Sequence, residues 1–292
     1  MQRYKCYVCK GQFSSKKKVC LEEIWHLYSS GKQTYIQLAE RFGCSTKTIQ
    51  RRLDKALIVK RDEFSSVAVV IMDTTYFGRG FGVMVFKNSL DGVVLFKQYV
   101  LYETNALYLA GISEICRRGI SIQGIVCDGR KGLFGGLFGD IPVQMCQFHQ
   151  IKIVTRYLTR KPKAQAAIDL KSLTSKLTKS TKAEFVKKLD NWYTNWSDYL
   201  NERSKSPSTG KTYYTHKRLR SAYLSLKKHL PYLFVCEDYK ELMIPNTTNA
   251  LDGQFSDLKN KLRNHNGLSK ERKMKFTAYF VRSTSIDGFF QA

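Results

Sequence analysis

No stretch of this chain approaches the run of about 18 apolar residues that a membrane span requires, and no apolar signal core follows Met1. Those two lacks lead to the expectation of a cytoplasmic protein. The eight cysteines are scattered, with only Cys6 and Cys9 closely spaced, so no disulfide framework is expected and the thiols should stay reduced. Gly129 to Gly139 is glycine-rich but lacks the Gly-Lys-Ser/Thr ending of a phosphate-cradling loop, which removes kinase and ATPase readings. Acidic residues are scarce: 24 Asp and Glu stand against 49 Lys and Arg, a net charge of +25.

What is present is enough for a folded protein. The 292 residues are 43% hydrophobic, sufficient for one large domain or two to three small ones. The charge is unevenly placed: +9 in residues 1–62, zero in 63–149, +13 in 150–240 and +3 in 241–292. A neutral middle between basic flanks suits a catalytic core with arms that neutralise phosphate, although a merely solvated basic surface has the same composition.

Residues 20–57 carry the pattern of three short helices. Leu21, Ile24, Leu27 and Tyr28 recur at helical spacing, Thr34 is placed to cap a second helix, Gly43 supplies a tight turn, and Ser45 caps a third. Ile49 and Leu53 pack inward at i and i+4, an arrangement resembling a helix-turn-helix whose last helix enters the major groove. Ser45, Lys47, Thr48, Gln50, Arg51 and Arg52 are then the candidates that face DNA, Gln and Arg to read bases and the others to hold phosphate. The alternative is an ordinary three-helix unit with a basic outer face. Upstream, Cys6-Tyr7-Val8-Cys9 looks like one knuckle of a zinc ribbon. Four ligands make a structural zinc site, so none is expected here unless a second knuckle joins Cys6 and Cys9.

The middle of the chain delivers isolated acids on apolar runs. Ser66 to Met72 reads as a strand buried on both faces and ends at Asp73; Ile122 to Cys127 reads likewise and ends at Asp128. Between them, strands are expected over 81–86 and 93–102 and a helix over 107–118, with a last strand over 142–148. Three antiparallel strands, a helix, a strand, a short segment and a strand is ribonuclease-H-like order, in which Asp73 and Asp128 meet. Two close carboxylates repel, and a divalent cation is the usual compensation. Alternatively, each aspartate simply ends a strand or shapes a turn.

A third acid opens a basic helix. Leu251, Phe255, Leu258 and Leu262 form a buried stripe, and Asp252, Lys259 and Arg263 share another face, while Asp257 points about 140° away from Asp252. Asp252 is therefore the better catalytic candidate, with Lys259 and Arg263 to hold the scissile strand.

Taken in order, Asp73-Thr74-Thr75, Asp128-Gly129, Cys146-Gln147-Phe148-His149 and Thr247-Thr248-Asn249-Ala250-Leu251-Asp252 resemble bacterial insertion-sequence transposases of the mutator-like superfamily. The similar branch carries an N-terminal zinc ribbon and helix-turn-helix. The resemblance implies an Asp-Asp-Glu site, here Asp73, Asp128 and Asp252, holding two Mg²⁺ or Mn²⁺ ions. It also implies a helical insertion, matched by residues 150–240, and puts His149 near the active site, in contact with DNA or a phosphate. This sequence departs from the family in having Asp at position 252, where the family has Glu, and half a ribbon. The expected fold class is α/β: a ribonuclease-H-like catalytic core (63–149 and 241–292) interrupted by a basic helical insertion (150–240). An all-α helix-turn-helix domain (19–62) and a partial zinc-ribbon-like segment (1–18) precede it. The implied protein binds terminal inverted repeats and target DNA as a homodimer or larger assembly, near the nucleoid, and cleaves and joins strands. The alternative is a catalytically decayed relative that only binds DNA sequence-specifically.

Overall fold

The computed structural model describes residues 3–14, 20–55, 65–78 and 80–283. The chain divides into two compact units, Met1–Arg61 with Ser256–Asp287, and Asp62–Phe255 with Gly288–Ala292. The first opens with an antiparallel hairpin, β1 (Arg3–Lys5) and β2 (Gln12–Ser14), whose turn carries Cys6 and Cys9. Three helices follow: α1 (Leu21–Ser29), α2 (Tyr35–Arg41) and α3 (Thr46–Lys55). Thr34 caps α2 in a reciprocal pair with Gln37, satisfying amide groups that a helix start leaves unpaired. Gly43 makes the turn at φ 55°, where a side chain would be strained. Ser45 Oγ accepts from the Thr48 N–H at 3.2 Å and starts α3. Ile24, Leu38, Ile49 and Leu53 close the small core.

The second unit is built on a five-stranded sheet of order β5-β4-β3-β6-β7. Its strands are β3 (Val67–Phe77), β4 (Phe81–Asn88), β5 (Val94–Val100), β6 (Ser121–Cys127) and β7 (Val143–Met145). The first three pair antiparallel, and β6 and β7 add in parallel. The β-branched run Val67–Ile71 suits the central position because both faces are covered. Helix α4 (Asn105–Arg117) lies on one face with Tyr108, Ile112 and Ile115 buried among Val70, Met72 and Phe86. Gly111 permits this approach: a Cβ there would fall 2.2 Å from the Phe86 ring. Ile244 covers Gly124 on the sheet, where a Cβ would fall 2.8 Å from its side chain.

Beyond β7 come α5 (Gln147–Leu158), α6 (Gln165–Ser175), α7 (Lys182–Asn201), α8 (Lys217–Leu233) and the short α9 (Val235–Asp238), around a core that includes Leu170, Phe185, Leu189, Trp192 and Leu226. Gln144 and Gln147 both donate to the Leu233 carbonyl, at 2.8 and 2.7 Å, so the end of α8 is tied to the start of α5.

Several expectations change. β3 continues past Asp73 to Phe77 because pairing with β4 persists after pairing with β6 stops at Ile71 and Val126. The last strand shrinks to Val143–Met145, since Gln147 already begins a helix. The insertion also holds a hairpin, β8 (Arg203–Lys205) and β9 (Thr212–Tyr214), which alternation over so few residues does not announce.

The division between units falls within α10 (Asn249–Arg263). Residues 256–283, grouped with the sheet in the sequence reading, cluster with the N-terminal helices instead. The reason is aromatic cover for three short helices that cannot bury their own faces. In α11 (Lys270–Ser283), Phe276 meets Tyr28 edge-on at 5.6 Å and Tyr279 stacks on Trp25 at 4.9 Å. His265 lies against the Tyr28 ring, and Arg272 grips Asp54 with two bonds of 3.0 and 2.7 Å. No helix among the described residues is long and apolar enough to cross a membrane.

Candidate active site

Register brings the first two acids near each other. Ile71 opposes Val126 where the parallel β3–β6 pairing ends, and Asp73 and Asp128 each follow two residues on. The Asp128 charge acts on Asp73, but Asp128 does not join the ligand group that Asp73 forms with His149 and Asp252. Side chains alternate along a strand. Asp73 therefore faces away from the α4 side, to which Met72 points and on which Thr74 Oγ1 lies 3.1 Å from the Tyr108 hydroxyl. Asp128, just past β6, accepts from the Arg130 N–H at 3.1 Å.

Two further elements close on Asp73. Its carboxylate, an imidazole nitrogen of His149 and the carboxylate of Asp252 offer ligand atoms within 4.8 Å of one another, the one such group of metal-ligating side chains among the described residues. His149 lies in the first turn of α5, which starts at the end of β7, and Asp252 in the first turn of α10. Thr248, fully buried, joins them: its hydroxyl lies 3.2 Å from Asp252 Oδ2 and 3.5 Å from His149 Nδ1. Cys146 Sγ accepts from the Thr248 N–H at 3.3 Å. Lys152 Nζ is 3.8 Å from Asp252 Oδ1, a half-exposed pair that solvent screens.

The electrostatics mark Asp73 out. Burial pushes its carboxyl up to about 7; the His149 charge and the Thr74 N–H oppose the rise, while Asp252 and Asp128 add to it. Burial raises the Cys146 thiol, yet the hydrogen bond and charge of His149 together with the hydrogen bonds from Thr248 outweigh this and hold it below its ordinary value. Burial likewise lowers His149, but the bond with Cys146 and the charges of Cys146 and Asp73 leave it raised.

This donor set fits a hard divalent cation. Carboxylate oxygens with one imidazole suit Mg²⁺ or, better with nitrogen present, Mn²⁺. Asp73 is half-buried, with the charges of Asp252 and Asp128 raising its carboxyl and only His149 and the Thr74 N–H opposing them, a balance that a bound cation would tip toward the carboxylate.

The remaining candidates lie elsewhere. Lys47 and Arg51 are exposed on α3, Gln50 and Arg52 are half-buried, and the hydroxyls of Ser45 and Thr48 bond each other at 3.0 Å. Lys259 and Arg263 are exposed in the part of α10 that belongs to the first unit, Arg263 donating to Asn260 at 3.3 Å. Cys6 and Cys9 gather no third metal-ligating side chain among the described residues. Sequence reading placed His149 near the site as a contact to DNA or a phosphate and not as a metal ligand, and passed over Thr248 beyond its capping role and Lys152 altogether. The signal for His149 was the Cys-x-x-His step at a strand-to-helix junction.

No family model and no curated protein matches the sequence. Among solved structures, the Drosophila P element transposase strand transfer complex aligns over 95% of this chain and 94% of that one, at 12% identity and a TM-score of 0.37. The simian T-cell lymphotropic virus intasome in complex with PP2A regulatory subunit B56 gamma aligns over 67% of this chain and 73% of that one, at 11% identity and a TM-score of 0.23. At such scores the likeness decides neither fold nor activity.

Proposed function

We propose that the protein is a DNA transposase with a ribonuclease-H-like core, which binds terminal inverted repeats, cuts strands in a metal-dependent step and joins the freed ends to target DNA. The observation that carries the reading is the convergence of Asp73, His149 and Asp252, with the Asp128 charge near enough to act on Asp73, beside the central strand of a mixed sheet of order β5-β4-β3-β6-β7. That order, with only the second strand antiparallel to the rest, is the one the ribonuclease-H-like reading requires. Two Mg²⁺ or Mn²⁺ ions, when bound, would supply Lewis acidity for attack of water or a 3′-hydroxyl on a phosphodiester. Asp73, Asp128 and Asp252 would hold them, with His149 as a further ligand or phosphate contact.

The chain's own groups divide the remaining work. Thr248 fixes the rotamer of Asp252 and faces His149, so both enter the site prearranged. Asp252 reaches the cluster although it is one methylene shorter than Glu, which favours a working site over a decayed one. The capped α3 with exposed Lys47 and Arg51 supports the helix-turn-helix reading, and pairing two repeat ends calls for a dimer or larger assembly.

The test is cleavage of a labelled duplex carrying the repeats that flank the gene, with Mg²⁺ or Mn²⁺. Cutting by the native chain, lost in Asp73→Asn with binding retained, is the expected result. Undiminished cutting by Asp73→Asn overturns the assignment, and cutting by Asp252→Glu alone would move the reading to a decayed DNA-binding protein.

A further inference from the structure

Helix α5 carries a second pattern that the carboxylate site does not use. Phe148, Lys152 and Arg156 follow one another at four-residue steps, about 6 Å of rise each along the helix, and Arg160 comes four residues further on, past the helix end at Leu158. Its other face, with Gln147, Gln150, Val154 and Leu158, is buried. The four residues line one open groove of about 490 Å³ together with Thr155. One end of the groove borders the candidate active site, because Lys152, which lines it, sits 3.8 Å from Asp252 Oδ1. At the other end Thr159 takes φ 71°, a costly conformation for a β-branched residue, at the turn from which Arg160 meets the groove.

The charge and the aromatic surface point to one occupant. Lys152 faces only Asp252, and neither Arg156 nor Arg160 forms an ion pair among the described residues. A row of unneutralised cations at this spacing can accompany successive phosphates. Phe148 is 38% exposed, and the Lys152 ammonium sits 4.4 Å from its centroid. An exposed ring flanked by cations is the platform on which an unpaired base stacks, whereas bases in a duplex already stack on each other.

Resting on the proposed nuclease reading, we infer that the α5 groove is the track for an unpaired DNA strand. Arg156 and Arg160 grip its phosphates, and Phe148 stacks the base next to the scissile bond. Phe148, Arg156 and Arg160 are positioning residues. The substrate class is thereby narrowed to duplex ends with a frayed or single-stranded segment entering the site.

The experiment measures binding of a labelled single strand of about six nucleotides, and of a blunt duplex, to the full chain across a salt series. Arg156→Gln/Arg160→Gln should weaken single-strand binding about tenfold and reduce its log–log salt slope by about 1.4, from about 0.7 per lost phosphate contact. Phe148→Ala should weaken it about tenfold with the slope unchanged, and Phe148→Trp should restore it. Mn²⁺ binding, followed separately, should match the native chain in all three variants, and unchanged melting curves show that these surface changes leave the fold intact. Single-strand affinity and slope that stay native in the double variant overturn the track. Equal losses for the blunt duplex overturn its selectivity for an unpaired strand. A native chain that takes up no Mn²⁺ while the variants still lose single-strand affinity removes the nuclease reading and leaves the track standing.

Discussion

Asp73 concentrates the chemistry of the molecule in one carboxyl group. Its pKa, near 7, lies above the ordinary carboxylate value because burial disfavours the charge. In the metal-free chain the folded state therefore holds a proton that the unfolded state has released. Its contribution to stability is complete below about pH 4 and is lost as pH rises through about 7. Asp73→Asn removes this dependence, and above pH 7 it should be more stable than the metal-free native chain by about 1–3 kcal/mol. Thermal melts at pH 4 and pH 8 check this: an advantage at pH 8 that vanishes by pH 4 is expected, and no difference at either pH would show that burial does not strain the group. Mn²⁺ uptake should tighten over the same window, because the ligand must be deprotonated. Thr248 supplies a second prediction. Thr248→Val keeps the shape but deletes the hydroxyl that orients Asp252, so kcat should fall about tenfold with DNA affinity unchanged. An unchanged kcat would show that Asp252 needs no such support.

At the scale of elements, the site depends on three junctions rather than on any one helix or strand. β3 and β6 bring two acids near each other, the β7–α5 step presents His149, and the start of α10 presents Asp252. The sheet must therefore be held rigidly from the opposite side, where α4 closes on Phe86 through Gly111. Gly111→Ala forces a methyl group into that ring and should cost about 1–3 kcal/mol, read as a lower midpoint in urea. A change below about 0.5 kcal/mol would mean that α4 can slide. The elements were unevenly legible from sequence. Long apolar β-branched runs announced β3 and β6, and Thr34, Gly43 and Ser45 announced the helix boundaries around residue 40. The far end of β3 and the β8–β9 hairpin were not legible, because their limits are set by partner strands and not by local composition.

At the scale of the whole molecule, a charge of +25 suits a polyanionic partner. Duplex binding should fall about a thousandfold between about 50 and 200 mM salt if some six phosphates are contacted. Affinity that is flat with salt would remove the electrostatic reading of the basic flanks. Apolar runs that lead into aspartates, basic flanks around a neutral middle and helix caps are local matters, and the sequence by itself determined them. Local chemistry also singled out Asp73, Asp128 and Asp252 as candidates. Only tertiary structure decided that His149 joins Asp73 and Asp252, that Thr248 ties the two latecomers together, and that residues 256–283 pack with the N-terminal helices. The physical reason is separation along the chain. Asp73 and Asp252 are 179 positions apart, and no propensity or spacing rule acts over such a distance. They meet because the sheet and helices bury apolar faces whose partners are chosen by the complete fold.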